Sequence, residues 1–298
     1  MIPYVREMDF EYGRPDQVSP LIRRVVANNP GPFTFRGTGT YIVGSGEVAV
    51  IDPGPADPAH LQALLAALEG EQVHSILTTH DHSDHAPLAA DLARHTGAPV
   101  IGARPTPGRL ATKPGTEEGS DRTYRPDRVL EDGETVSGPG WNLQAVATPG
   151  HTGNHLCYAL AEENALFSGD HVMGWSTTVI VPPDGSMTDY YASLRKVMAS
   201  GYAILWPTHG PPITDPAPFL EAYLEHRLKR EGQILELLER GPSSIPQMVA
   251  RLYAGLDPRL HRAAGASLLA HLTHLIRAGR VTSDGREGAE RSYRITTP

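Results

Sequence analysis

Three imidazoles and two carboxylates fall within six residues at His80-Asp81-His82-Ser83-Asp84-His85. Five ionisable groups this close would repel one another or compete for solvent unless a cation joined them. Neutral imidazole and carboxylate are the donors that borderline divalent ions such as zinc accept. The run follows a strand pattern at Val73 to Leu77 and precedes a helix pattern that opens at Pro87 and stops at Gly97. A tight loop between two rigid elements presents alternate side chains to one point, so His80 and His82 can face one ion while Asp84 and His85 face another. The remaining ligands have to come from distant segments. His151 stands in Thr148-Pro149-Gly150-His151-Thr152-Gly153, Asp170 in Phe167-Ser168-Gly169-Asp170 and His209 in Pro207-Thr208-His209-Gly210. Each lies past a strand pattern, at Trp141 to Ala147, Ala165 to Phe167 and Ala203 to Leu205. In a layered α/β fold such exits gather along one edge of the sheets.

The elements that would carry these groups alternate. Two short strands around a Gly-Ser-Gly turn, through Tyr41 to Val43 and Val48 to Ile51, deliver Asp52; a helix over 58–69 buries Leu61, Leu64, Leu65 and Leu68. Strand and helix in turn give an α/β body. Residues 103 to 128 lose all periodicity to Pro, Gly and charges, as an exposed insertion or lid does. A further strand is expected from His155 to Leu160. A long helix from about Phe219 to Glu239 runs out at Gly241-Pro242. Beyond it come two short helical patterns and a β-ribbon around an Asp-Gly turn, the order of a winged helix-turn-helix. The expected division is therefore residues 1–218 and 219–298.

The chain has 298 residues, 40% hydrophobic and 20% charged, with no apolar run near the ~20 residues of a membrane span. Charged residues in the first dozen positions argue against a secretory signal, so a cytoplasmic location is expected. The single cysteine, Cys157, excludes internal disulfides and Cys-rich zinc modules, and reads as a small buried group. Residues 1–222 carry a net charge of −12 and residues 223–298 one of +4, which together give −8. The tail offers Arg277, Arg280, Arg286, Arg291 and Arg294, few against the 6 to 10 phosphate contacts of a strong DNA binder, and the acidic body would repel a duplex.

Taken in order, HDHSDH, TPGHTG, FSGD and PTHG resemble the motifs of the metallo-β-lactamase superfamily, over about residues 36 to 212. The resemblance implies a four-layer αββα sandwich followed by a small winged-helix domain. It also implies two divalent ions, zinc first, with iron or manganese fitting the same ligands. His80, His82 and His151 would hold one ion, Asp84, His85 and His209 the other, and Asp170 would bridge them. Asp52 would orient a ligand histidine. FSGDHVMGWSTTVI, YYASL, PTHGPPI, EHRLKREGQIL and the tail further resemble the lactamase-like proteins whose animal mitochondrial member is a single-strand endoribonuclease. The sequence departs from that group at Ala86-Pro87, where two glycines are usual, and at Asp81, where a basic residue is usual.

Two ions ~3.5 to 4 Å apart can lower the pKa of a shared water towards ~7. Asp84 and Asp170 are the carboxylates expected to serve the chemistry, Asp84 by returning a proton. The substrates that fit are a thioester, a lactone or a related small ester, and single-stranded RNA. A metal-loaded regulator binding DNA through the tail stands as a non-enzymatic alternative. His155 and His171 read as satisfied or exposed histidines rather than ligands, and His271 and His274 as a solvated helix face. Thr177, Thr178 and Tyr190 follow the bridging aspartate and have two readings, as lining of the substrate cleft or as ordinary core or loop residues. Nothing in the sequence sets the oligomeric state.

Overall fold

The structure, a computed structural model, describes residues 1–106, 119–285 and 291–296. Seven strands form the first sheet in sequential order: β1 (Pro15–Gln17), β2 (Ile22–Val26), β3 (Gly39–Ser45), β4 (Glu47–Ile51), β5 (Gln72–Thr78), β6 (Val100–Gly102) and β7 (Arg128–Val129). Helices α1 (Pro58–Ala67) and α2 (Leu88–Thr96) make the crossovers from β4 to β5 and from β5 to β6, two of its three parallel pairs. A second sheet has the order β12-β11-β10-β9-β8, built from β8 (Thr135–Gly138), β9 (Trp141–Ala147), β10 (Leu156–Leu160), β11 (Ala165–Gly169) and β12 (Ile204–Pro207). Helix α3 (Met187–Ser200) connects β11 to β12, and α4 (Pro216–Glu239) follows.

Period-2 alternation sorts the side chains into layers. From β3 and β4, Tyr41, Val43, Ala49 and Ile51 point between the sheets, where they meet Trp141, Leu143, Tyr158 and Phe167. Their neighbours Ile42, Val48 and Val50 point the other way, onto Leu61, Leu64, Leu88 and Leu92 of α1 and α2. Val146, Cys157, Leu166 and Leu205 leave the far face of the second sheet and pack under Tyr190, Leu194, Phe219 and Tyr223 of α3 and α4. Strands buried on both faces read as unbroken apolar runs, and the four layers are helix, sheet, sheet, helix. Local signals set the helix ends. The Asp57 carboxylate accepts from the Ala59 amide at 2.9 Å ahead of Pro58, and Gly97 closes α2 in the left-handed conformation at φ 74.

Strands β1, β2, β6, β7 and β8 escape a reading by periodicity. In β2 the sequence Ile22-Arg23-Arg24-Val25-Val26 hides a strand because both arginines are ion-paired, Arg23 to Glu71 and Arg24 to Asp16. Residues 107–118, most of the expected insertion, lie outside the described residues. The flanks of that insertion expose Arg104, Arg122, Thr123, Arg125, Asp127 and Arg128, as expected, but are pinned at two points: Ser120 bridges to His82, and the buried Tyr124 hydroxyl meets Thr78 Oγ1 at 2.5 Å.

The C-terminal unit comprises β13 (Ser243–Ser244), α5 (Ile245–Leu252), α6 (His261–Arg277), β14 (Val281–Ser283) and β15 (Ser292–Ile295), around a core that includes Ile234 and Leu238 of α4. Helix α6 has 17 residues and is not short. Its expected solvated face is a correction. His271 is buried and donates to Glu231 of α4 at 3.3 Å, and His274 meets Thr188 of α3 at 2.8 Å. That polar face lies against α3 and α4. Glu231 also accepts from Tyr191 at 2.8 Å, so the polar stripe has polar partners inside the protein and needs no water. Among the described residues no helix is long and apolar enough to cross a membrane.

Candidate metal centre

The exits of five strands converge. Asp52 follows β4, His80 to His85 follow β5, His151 follows β9, Asp170 follows β11 and His209 follows β12. The two sheets are tied together at this edge: Tyr41 donates to Pro207 O at 2.7 Å, Tyr158 to Thr78 O at 2.7 Å, and Thr38 bridges to His209.

His80 Nε2 and His151 Nε2 lie 2.9 and 3.2 Å from His82 Nδ1. His209 Nε2 lies 3.2 Å from an Asp84 oxygen and 3.5 Å from Asp170, and His85 Nε2 lies 3.7 and 3.5 Å from the same two carboxylates. Asp170 also comes within 3.6 Å of His151 Nε2. Donor atoms thus cluster as His80, His82 and His151, as Asp84, His85 and His209, and, between them, as His80, His85 and Asp170.

The outer nitrogens decide which atoms face inwards. His151 Nδ1 donates to Val179 O at 2.7 Å and His209 Nδ1 to Gly37 O at 3.2 Å. His85 Nδ1 donates to Asp52 at 2.8 Å. Thr79 Oγ1 gives its proton to Asp52 at 2.8 Å and so accepts from His80 Nδ1 at 2.9 Å. Four rings therefore present Nε2 to the centre, and His82 presents Nδ1. Lone pairs facing each other at 2.9 Å need a cation or a proton between them. His85 Nε2 and Asp170 Oδ1 are buried and make no hydrogen bond among the described residues. The donor set and these orphaned atoms fit divalent ions.

Electrostatics divide the cluster in the same way. Burial, reinforced by His85, His82 and His151, holds His80 well below the usual imidazole range, and burial takes His82 down to about 3. Burial would lower His85 and His209 too, but Asp84, Asp52 and Asp170 outweigh it at His85, and Asp170 and Asp84 at His209, so both are raised. Burial would raise Asp170, yet His209 and His85 hold it well below the usual carboxylate range; Asp84 is lowered against the same burial by His85 and His209. Without ions, protons on His85 and His209 supply the positive charge that the carboxylates require.

Asp52 is buried, accepts from Thr79 N, Thr79 Oγ1, His85 and Thr208 Oγ1, and takes a positive φ of 50 that aspartate tolerates. His155 is satisfied: Nδ1 meets Thr148 Oγ1 at 2.8 Å and Nε2 accepts from the Asp170 amide at 3.1 Å. Gly169, at φ 54, permits that approach, since a Cβ there would lie 2.6 Å from His155 Nε2. His171 is a correction, being fully buried with neither ring nitrogen hydrogen-bonded among the described residues.

Residues 34–209 match the profile described as the Metallo-beta-lactamase superfamily. The chain belongs to this superfamily. In this metallo-β-lactamase superfamily protein, residues 244–290 match the Beta-lactamase associated winged helix domain. An atrochrysone carboxyl ACP thioesterase of Aspergillus novofumigatus is 34% identical over 228 residues, 76% of this chain and 65% of that protein. The crystal structure of a beta-lactamase domain protein from Burkholderia ambifaria superposes with a TM-score of 0.80 at 19% identity, covering 99% of this chain and 96% of that one. A protein solved in a di-iron-bound form is 28% identical, with a TM-score of 0.52 over 68% of this chain and 96% of its own.

Of the two readings of Thr178 and Tyr190, the core one holds. Tyr190 and Thr178 are buried, donating to His171 O and to the Asp170 and His171 carbonyls, and neither they nor Thr177 line the pocket above the cluster. Phe33, Met173 and Val179 do, with His82, Asp84, His151, Asp170 and His209 at its base. Apolar loop residues carry no type signal that would mark them. Proximity of Met173 to Asp170 was the one available pointer.

Proposed function

We propose that the chain is a dinuclear metal-dependent hydrolase of thioesters with an apolar acyl group. One observation carries the choice of substrate: the pocket walls are Phe33, Met173 and Val179, with no lysine or arginine among the described lining residues. An RNA site needs cations along the backbone. The relative named as a thioesterase and the −12 charge of residues 1–222 favour the same reading.

His80, His82 and His151 would hold one ion, Asp84, His85 and His209 the other, and Asp170 both. Zinc suits nitrogen and carboxylate donors, and iron or manganese can use the same set. Ions held there supply an acidified water and a Lewis acid for a carbonyl oxygen. The chain's own residues do the remaining work. Val179 O, Gly37 O, Asp52 and Thr79 fix the rings so that Nε2 faces the centre. Phe33, Met173 and Val179 narrow the approach to the cluster and offer the acyl group an apolar edge at its mouth. Asp84, buried at the pocket base, takes up and returns a proton at a carboxylate oxygen.

The test is hydrolysis of acyl thioesters of graded chain length beside short single-stranded RNA, each with chelator and with metal restored. Thioester cleavage that chelator abolishes and metal restores is expected, with the RNA intact. Cleaved RNA beside inert thioesters overturns the substrate reading.

A further inference from the structure

Helix α4 buries a polar side chain on each of three successive turns of one face, Tyr223, Arg227 and Glu231. Glu231 is absorbed by Tyr191 and His271. Arg227 is not explained by packing or by pairing. It is 3% exposed, its guanidinium lies 5.3 Å from the Tyr190 ring centre, and its Nε makes no hydrogen bond among the described residues. A buried guanidinium held by one carbonyl and the Tyr190 side chain, with no carboxylate paired with it among the described residues, is a costly way to fill space, and an apolar side chain of the same length would do it better.

That carbonyl belongs to Thr178. Thr178 is where the wall of the metal centre is fastened. Its Oγ1 lies 2.9 Å from both Asp170 O and His171 O, its amide donates to Tyr223 at 3.0 Å, and the next carbonyl in the chain, Val179 O, takes the Nδ1 proton of His151 at 2.7 Å. A displacement of Thr178 therefore reaches two ligands at once: Asp170 through its backbone, and His151 through the atom that fixes its tautomer and tilt. We propose that Arg227 is a positioning residue for the metal centre, acting through Thr178 on Asp170 and His151. The helix that leads into the winged-helix unit thereby forms part of the support of the site. This inference rests on the metal centre of the reading above, and is independent of which ester is cleaved.

The test uses the full chain with Arg227→Met, which keeps length and removes the donors, Arg227→Lys, which keeps the charge, and Thr178→Val, which keeps shape and removes the hydroxyl link. Metal affinity is measured by competition with a chromophoric chelator, and ligand geometry by the visible spectrum of the cobalt(II)-loaded protein. Thermal unfolding is followed in chelator. Loss of such an outer support typically lowers metal affinity about 10- to 100-fold. That loss is expected in R227M and T178V, with an altered cobalt spectrum, partial recovery in R227K, and a combined effect in the double variant smaller than the product of the two. If R227M does not fold, T178V alone carries the same expectation. Wild-type affinity and spectrum in R227M, or in T178V where only that variant folds, overturn the proposal, as does a change confined to the melting temperature. A wild-type protein that binds no metal instead overturns the reading beneath it.

Discussion

Replacing Asp52 by asparagine removes one charge while keeping the shape of the side chain. Asp52 accepts one bond at Oδ1, from Thr79 N at 2.8 Å, and three at Oδ2, from Thr79 Oγ1 at 2.8 Å, Thr208 Oγ1 at 2.9 Å and His85 Nδ1 at 2.8 Å. The least harmful asparagine places its amide nitrogen where Oδ1 was, keeping three acceptor bonds and setting two N–H groups against each other at Thr79. An unsatisfied buried donor costs about 1–3 kcal/mol, and loss of charge assistance on the remaining bonds adds about 1 kcal/mol each at most. A total near 3–5 kcal/mol matches the usual cost of breaking a buried charged pair. His85 also loses one of the carboxylates that fix it, so affinity for the ion it would ligate should fall about 10- to 100-fold, or about 1.4–2.7 kcal/mol. Urea unfolding in excess chelator reads the first quantity and competitive metal titration the second. If D52N binds metal as tightly as the wild type, Asp52 does not orient His85 and the outer-shell argument fails.

Three further perturbations follow from the same geometry. Gly169→Ala puts a Cβ 2.6 Å from His155 Nε2 at a φ of 54, so it should lose about 1–3 kcal/mol and bind metal more weakly, read by melting and metal content. Phe33→Ala should lower kcat/KM for long acyl thioesters by about tenfold or more, with little change for an acetyl thioester, because burial of a phenyl group contributes about 1.5–3 kcal/mol. The third concerns pH. Burial takes His60 down to about 4, while Thr40 Oγ1 meets its Nε2 at 2.9 Å. The folded form therefore stays neutral where the unfolded chain, near 6.5, takes a proton. Stability from this residue is full above pH 6.5 and is lost as pH falls from 6.5 through about 4, at about 1.4 kcal/mol per pH unit. Metal-free wild type should accordingly lose about 2 kcal/mol more than His60→Gln between pH 7 and pH 5, read by denaturant unfolding; equal losses would contradict it.

The layers were legible because the inner strands of the first sheet are buried on both faces, so Tyr41 to Val43 and Val48 to Ile51 read as apolar runs, while Trp141 to Ala147 alternates, with Asn142 and Gln144 exposed. The grouping of histidines and aspartates was legible because metal chemistry permits few residue types and strand exits place them. What stayed hidden has two physical causes. Polar stripes look alike whether they meet water or a polar partner, so His271 and His274 were read as solvated while Glu231 and Thr188 receive them. The pocket lining supplied by Phe33, Met173 and Val179 consists of ordinary apolar side chains on irregular backbone, where no period or spacing marks a function. Arg227 belongs to both cases, a charged residue on a helix face whose partner is a backbone carbonyl 49 positions away.

The central claim is that the converged donors form a paired metal site that drives hydrolysis. Metal analysis of protein purified without added metal, with thioester hydrolysis followed on the same sample, tests it most directly. About two divalent ions per chain are expected, with activity that disappears with them and returns on reloading, and loss of both in Asp170→Ala. Full thioesterase activity in protein stripped of metal would contradict it.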